Sequence, residues 1–350
     1  MRSLKPLTES AFKSSDPHLY LEDYQSDCVD LMMTAPPGYT LDGTERFYED
    51  TSYKWNSFED YMDYMERIFG EVYRMLKNFR YCAVVVGDQT TYVSRDSGYL
   101  YDKKFPLAAY FTIMLEKIGF TYITDCIWDK GLYSQPYRGK SIHYSMTEIP
   151  GSCYEHILIF QKRAERKETL PCPYCGEITF MKRRGFTKAG EQQWLCKNEN
   201  CPGKNGDGKK LTFTESSYVT GSKKKIENMI PRELLEKWHR NIVSIEPVVS
   251  GFENMKKRQR DLPPEIAEMI MLYFSGRGDY VLDPFSGIGT TVIAADIFER
   301  NYLCFEKGKN DRQRFYDAVQ NLNPELKDKL SNIDFGFGID KRPMKIRYSS

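Results

Sequence analysis

The sequence predicts an α/β fold, a mostly parallel sheet flanked by helices, with a small cysteine-bearing module inserted into it. Three observations predict this. Short apolar runs alternate with stretches of helical periodicity through the first 161 residues. Near the C-terminal end a strand, a Gly-x-Gly turn, a helix, a second strand and an acidic residue follow in that order. Between them, residues 163–225 are polar, basic and rich in Gly, Lys and Asn, and contain four closely spaced cysteines.

The elements follow in chain order. Cys28–Thr34 is a short apolar run stopped by Ala35-Pro36-Pro37-Gly38-Tyr39; prolines and glycine cannot continue a central strand, so a buried strand ends in a rigid loop. Phe58, Tyr61, Met62, Met65, Ile68, Phe69, Val72, Tyr73 and Leu76 recur at three- and four-residue steps and predict an amphipathic helix. Cys82–Val86 predicts a buried strand, Phe105–Ile118 a helix, and Tyr122–Trp128 and His156–Gln161 two further strands. After the polar insertion, Pro263–Phe274 carries Ile266, Met269, Ile270 and Tyr273 on one helical face. Tyr280–Leu282 is a strand, a helix runs to Ile297, and Tyr302–Phe305 is the last strand, ended by Glu306. The chain divides into segments 1–161, 162–240, 241–323 and an irregular tail, 324–350.

With 350 residues and 41% hydrophobic composition, a packed core is expected and wholesale disorder is excluded. No apolar run approaches the roughly 20 residues of a membrane-spanning helix, and Met1–Ser15 lacks a secretory h-region, so a cytoplasmic protein is expected. The net charge of +1 hides an asymmetry: residues 1–161 carry 16 basic and 23 acidic groups, 162–260 carry 22 and 12, and 261–350 carry 12 and 14. A basic middle between acidic ends suggests a region that meets a polyanion; a solvated lysine-rich insertion is the alternative.

Gly287 and Gly289 permit a tight turn and close approach of backbone to a ligand. Glu306, 19 residues after Gly287, stands near the distance at which an acid meets ribose hydroxyls. Val292 occupies the place of the third glycine of the dinucleotide fingerprint, which favours a ligand without pyrophosphate. The same turn also occurs in α/β proteins that bind nothing there.

Cys172-x₂-Cys175, twenty residues, then Cys196-x₄-Cys201 has the spacing of a tetrahedral Cys₄ zinc site. Four protein ligands leave no open position, so such a zinc is structural, and a polar module of this size needs a staple to fold. Lys182, Arg183, Arg184 and Lys188, interleaved with Phe180, Phe186, Trp194 and Phe213, could meet phosphates and stack on bases. A second basic and aromatic loop, Lys130–Ser152, includes Arg138 and Lys140. The four histidines show no metal spacing, and the remaining cysteines, Cys28, Cys82, Cys126, Cys153 and Cys304, read as reduced core residues.

Asp283-Pro284-Phe285-Ser286-Gly287-Ile288-Gly289-Thr290-Thr291 closely resembles the cofactor motif of the DNA amino-methyltransferases that act on adenine N6 or cytosine N4. Thr34-Ala35-Pro36-Pro37-Gly38-Tyr39 resembles the catalytic motif of the same family, and its place before the cofactor motif is the permuted order of the β group. Gly119-Phe120 with Ile127-Trp128-Asp129-Lys130, Glu155-His156-Ile157-Leu158-Ile159-Phe160 and Leu262-Pro263-Pro264-Glu265 also resemble family segments. The resemblance covers about 20–161 and 240–315 and leaves the cysteine module outside.

The resemblance implies a Rossmann-like methyltransferase fold and S-adenosylmethionine as cofactor. It implies that Asp283, Pro284, Phe285, Gly287 and Gly289 hold the methionine part and that Glu306 holds the ribose, with Thr290 offering its hydroxyl and N–H to the cofactor carboxylate. It implies a catalytic motif over Thr34, Ala35, Pro36 and Pro37 in which the Pro36 carbonyl accepts from the target amine and Thr34 or Asp42 substitutes for the side-chain acceptor missing at Ala35, with Tyr39 stacking on a base flipped out of duplex DNA. Ala35 stands where the family has Ser, Asp or Asn, and Gly38 is inserted before the aromatic. The implied partner is DNA, read by the cysteine module, in a cytoplasmic, nucleoid-associated or nuclear setting, in a restriction-modification context and as a possible homodimer. An RNA or single-strand methyltransferase and a non-catalytic nucleic-acid-binding relative are the alternatives.

Overall fold

The structure is a computed structural model that describes residues 4–39, 53, 55–94, 100–131, 153–163, 172–177, 181–188, 192–214, 217, 228–245 and 262–308. The strands are β1 (Ala11–Lys13), β2 (Val29–Thr34), β3 (Leu76–Val86), β4 (Gln89–Ser94), β5 (Leu100–Phe105), β6 (Phe120–Asp129), β7 (Tyr154–Lys162), β8 (Met181–Phe186), β9 (Gln192–Cys196), β10 (Thr212–Phe213), β11 (Ile242–Ser244), β12 (Tyr280–Asp283) and β13 (Asn301–Phe305). The α-helices are α1 (Phe58–Met75), α2 (Leu107–Ile118), α3 (Arg232–Trp238), α4 (Pro264–Phe274) and α5 (Thr290–Ile297).

Among the described residues, eight strands form one sheet in the order β1-β13-β12-β2-β3-β7-β6-β11. All neighbours are parallel except β7, which runs antiparallel to both β3 and β6. The sheet is mostly parallel, as expected, with one inverted strand. The inverted strand escapes sequence reading because a continuous run such as Ile157–Phe160 is buried on both faces whichever way it runs.

Side chains alternate between two cores. Met32, Val84, Leu158, Leu282 and Leu303 face a layer containing α1 and α2. Leu31, Met33, Val85, Ile157, Ile159 and Val281 face a layer containing α4 and α5. α1 begins where the Ser57 hydroxyl accepts the Asp60 N–H at 3.1 Å, with Glu59 and Asp60 placed favourably against the helix dipole. Tyr61, Met65, Ile68, Phe69 and Val72 of the stripe read from the sequence are buried, joined by Tyr64 and Met75, while Leu76, read into the helix, opens β3. α2 stops at Gly119, whose φ of 120° suits glycine and whose missing Cβ would lie 3.2 Å from the Tyr73 ring.

The short elements β1, β11 and α3 and the hairpin β4–β5 are additions to the sequence reading. Trp238 at the end of α3 is buried in the second core and donates to Glu265 at 3.2 Å. This helix thus packs with the main sheet although the sequence division assigned it to the insertion. The cysteine module has its own three-stranded sheet, β10-β9-β8, and its own small core of Cys172, Trp194, Cys196, Cys201 and Phe213. The tail 324–350 lies outside the described residues.

Candidate active site and metal centre

Two parallel strands at the middle of the sheet send their chains in opposite directions. From β12 the chain passes through α5 to β13; from β2 it passes through α1 to β3, on the other side. A crevice opens at the carboxyl ends of strands wherever the order reverses in this way. The loop Thr34–Tyr39 leaves β2 there, and the turn Asp283–Gly289 leaves β12 beside it. The two motifs, about 250 positions apart in the chain, meet directly: the Thr34 hydroxyl donates to Asp283 Oδ1 at 2.6 Å.

Asp283 is the hub of the meeting. It is 2% exposed. Its second oxygen accepts the Thr291 hydroxyl at 2.5 Å, and Oδ1 also accepts the Phe285 N–H at 3.0 Å. Burial pushes its pKa up from 3.8 to about 6, against the pull of the two hydroxyls and the amide, which favour the charged form. The end of β12, the end of β2 and the first turn of α5 are thereby tied to one carboxylate.

The turn itself is shaped by its glycines. Gly287 and Gly289 have φ of 54° and 77°, a region that disfavours other residues. A Cβ built on Gly287 meets nothing within 4 Å, so open space lies before it. Gly289 begins α5 with no side chain capping the first turn, which leaves N–H groups at a positive helix end for an anionic group. Pro284 and Phe285 are buried, the Phe285 ring packing edge-on against Tyr53 at 5.8 Å.

Two expected contacts are differently employed. The Thr290 hydroxyl donates to the Leu262 carbonyl at 3.0 Å, so its proton holds the start of α4 and only its backbone N–H is left for a carboxylate. Glu306 is 5% exposed; Oε2 accepts the Gly287 N–H at 2.8 Å and Oε1 accepts the Gly308 N–H. This acid stitches the glycine turn to the chain after β13.

In the loop after β2, Ala35, Pro36, Pro37 and Gly38 are half-buried. The Pro37 carbonyl accepts the Tyr61 hydroxyl at 3.1 Å, and no described residue donates to the Pro36 carbonyl. Tyr39 departs from the sequence expectation. It is 2% exposed, its ring held edge-on by Phe58 at 5.1 Å and Phe105 at 5.0 Å. A ring enclosed in this way supports the loop from below, and does not present a face to a base.

Sequence reasoning missed a second set of residues beside the pocket. Asp16, in the turn after β1, accepts the Tyr64 hydroxyl at 2.7 Å and pairs with Lys307 at 3.1 Å, while the Lys307 ammonium stands 5.1 Å from the Tyr53 ring. The one available signal was the adjacency of Lys307 to Glu306. Farther along the same edge of the sheet, after β6, Lys130, 7% exposed, pairs with Glu155 of β7, and Gly87 makes room for it: a Cβ there would lie 2.7 Å from Glu155 Cγ. Arg138 and Lys140 lie outside the described residues.

The four predicted metal ligands come together. All four sulfurs of Cys172, Cys175, Cys196 and Cys201 lie within 4.8 Å of one another. The pairs Cys172–Cys201 and Cys175–Cys196 are 3.7 and 3.8 Å apart, far beyond the roughly 2.05 Å of a disulfide. Zn–S bonds of about 2.3 Å in a tetrahedron require sulfur separations of about 3.8 Å, so the donor set fits zinc. The Gly176 N–H donates to the Cys172 carbonyl at 2.8 Å, closing the first knuckle, and Gly176 takes a φ of 72°. Trp194 is a correction to the nucleic-acid set: it is 3% exposed and closes over the sulfurs as part of the module's core. Arg184 and Lys188 are exposed, whereas the side chains of Lys182 and Arg183 lie outside the described residues.

Known proteins resemble the chain in the same regions. A family model described as DNA methylase, of the N6/N4 class, matches residues 29–316. The type II methyltransferase M.MjaI of Methanocaldococcus jannaschii is 22% identical over 91% of each chain. The type II beta methyltransferase M.BslI of a Bacillus species is 30% identical over 32% of this chain, and the matched stretch spans 12% of that protein. Among solved structures, a putative DNA modification methylase of Thermus thermophilus, complexed with S-adenosyl-L-methionine, superposes with a TM-score of 0.54 at 23% identity, covering 88% of this chain and 94% of that one. The cytosine-N4-specific PvuII DNA methyltransferase superposes with a TM-score of 0.51 at 13% identity, covering 93% and 94%. Both likenesses speak for the fold. With the family match spanning most of its length, the chain belongs to the DNA methylases of the N6/N4 class.

Proposed function

We propose that this chain transfers a methyl group from S-adenosylmethionine to the exocyclic amine of adenine (N6) or cytosine (N4) in DNA. The observation that carries the reading is the Thr34–Asp283 hydrogen bond of 2.6 Å, which puts the catalytic loop and the cofactor turn on one edge of the sheet. The open space before Gly287 and the uncapped start of α5 fit the methionine end of the cofactor, a carboxylate against free N–H groups. Glu306, at the end of β13, fits the ribose side. Bound there, S-adenosylmethionine supplies an electrophilic sulfonium methyl.

The residues of the chain then have distinct tasks. The lone pair of an aromatic amine is delocalised into the ring, so acceptors beside the NH₂ must draw it toward a tetrahedral shape and stabilise the positive charge that develops. The Pro36 carbonyl is the acceptor this loop can offer. Thr34 adds little, because its side chain is fully buried with the hydroxyl proton on Asp283. Ala35 supplies none, so the reading predicts slow turnover and an enzyme that gains from a restored acceptor. Zinc in the four-cysteine site would hold the inserted module together and leave the chemistry untouched.

Tritium transfer from methyl-labelled S-adenosylmethionine to unmodified duplex DNA tests the proposal. Labelled DNA, with a higher rate for Ala35→Ser, is the expected result. Cofactor binding without label in DNA, for both the unaltered chain and Ala35→Ser, contradicts it and leaves a non-catalytic relative; label in RNA or single strands alone changes the substrate. A cytoplasmic or nuclear location and a homodimeric state are extensions of the same reading, and among the described residues no helix is long and apolar enough to cross a membrane.

A further inference from the structure

We propose that the β8 edge of the cysteine module grips duplex DNA, with Phe186 as its apolar contact to bases and sugars and Arg184 and Lys188 on the flanking phosphates. The proposal rests on the reading of the chain as a DNA methyltransferase and names the surface that would hold the substrate.

Three observations meet on this strand. First, β8 is the outer strand of its sheet, with β9 as its neighbour among the described residues. β10 pairs only with Trp194 and Leu195, so among the described residues Gly185 and Phe186 lie on a two-stranded ribbon, narrow enough to enter the major groove. Second, residues 181–188 carry four cations, Lys182, Arg183, Arg184 and Lys188, and no acid, in the one stretch of the chain where the charge balance is strongly basic. Third, the backbone breaks its register here. Arg183 pairs with Trp194 and Gly185 with Gln193, so Arg184 is the extra residue of a β-bulge. Gly185 takes a φ of 137°, and its carbonyl accepts the Gln192 side-chain amide at 2.7 Å. A bulge re-aims the side chains around it, and the outcome is visible in the aromatics. Trp194 and Phe213 are buried against the sulfurs, whereas Phe186 is 69% exposed.

An exposed phenyl on an outer strand is a liability unless something covers it. The exposed Arg184 and Lys188 on either side of it in the chain select a polyanion over a protein surface of mixed charge. Positive side chains on an edge also discourage edge-to-edge pairing, and the experiment separates that role from DNA contact.

The test uses the full zinc-loaded chain and fluorescent short duplexes of random sequence, together with unmodified genomic DNA as methylation substrate. Phe186→Ala is expected to weaken duplex binding about tenfold and to raise KM for genomic DNA with kcat nearly unchanged. Phe186→Leu, which keeps an apolar side chain, is expected to retain most of the affinity. Arg184→Ala with Lys188→Ala is expected to flatten the dependence of log Kd on log salt by about 0.9 per lost phosphate contact. The zinc-to-protein ratio reports that each variant still folds. Unchanged affinity and salt slope in zinc-loaded Phe186→Ala and the double variant overturn the proposal. A chain that shows these binding effects yet methylates no DNA keeps this surface and defeats the methyltransferase reading instead.

Discussion

The crevice between β12 and β2 and the cysteine module are held together by different means. The crevice is a consequence of topology: two apolar cores on either side of an eight-stranded sheet fix the strand ends, and one buried carboxylate joins the loops that leave them. Among the described residues the module's core has five members, three of them cysteines of the four-sulfur cluster. A core that small cannot offset the conformational entropy of ordering the chain without a metal. The comparison teaches where each region is vulnerable. The crevice should fail by small displacements that spare the fold, and the module should fail all at once.

The largest effect is expected in the module. Cys201→Ser, or a strong chelator, removes a ligand set whose binding free energy in comparable sites is about 10 kcal/mol or more. The expected outcome is loss of bound zinc together with protease sensitivity between residues 163 and 228, while cofactor binding by the crevice survives. Loss of cofactor binding on chelation would show the two regions to be one cooperative unit, and the comparison would break.

The next effect is in the crevice. Thr34→Val keeps the shape of a fully buried side chain and removes the hydroxyl that joins β2 to Asp283. Displacement of a reacting group by even about 1 Å can cost roughly a hundredfold in rate, and on the proposed function kcat is expected to fall accordingly with zinc content unchanged. Tyr61→Phe is milder. It leaves the Pro37 carbonyl without its donor, at a cost of about 1–3 kcal/mol in stability. Turnover is expected to fall more than affinity for DNA, because the loop is loosened without losing any contact surface.

Much of this arrangement was legible in the sequence. Long apolar runs such as those in β2, β3 and β7 and the stripe of α1 declare themselves by period and composition. The two loops declared themselves through Pro36-Pro37 and through the glycines of 287 and 289. Elements of three residues, β1 and β11, carry no period and exist because a neighbouring strand offers them hydrogen bonds. Tyr61 and Tyr64 look like ordinary members of an apolar helical face; only folding brings their hydroxyls to Pro37 and Asp16. Trp194 and Phe186 are both aromatics among cations, and sequence alone cannot divide them into core and surface, since the division depends on which lies over the sulfurs. Tyr39 misled for a similar reason: an aromatic after two prolines suggests stacking, but its neighbours Phe58 and Phe105 come from elsewhere in the chain.

The smallest effect concerns pH. Asp283 has its pKa raised from 3.8 to about 6 by burial. The folded chain therefore holds this proton more tightly than the unfolded chain, so the contribution favours folding most below pH 3.8 and is lost as the pH rises through about 6. Asp283→Asn abolishes that dependence. Between pH 7 and pH 5 the unaltered chain is expected to gain about 1 kcal/mol relative to the variant, measured by denaturant unfolding. A gap that stays constant would mean that Asp283 titrates alike in both states. His156 works in the same sense. Its hydrogen bond to Asp125 raises its pKa, so its contribution is present below about 6.5 and fades at higher pH.

The central claim is that the loop after β2 and the turn after β12 close on a target amine and a methyl donor at one edge of the sheet. Mass spectrometry of nucleosides from unmodified DNA incubated with the chain and S-adenosylmethionine tests it most directly. The account predicts N6-methyladenine or N4-methylcytosine, reduced about a hundredfold by Thr34→Val. Methylation at ring carbon 5 of cytosine, or no methylated nucleoside from DNA to which the cofactor-loaded chain demonstrably binds, would contradict it.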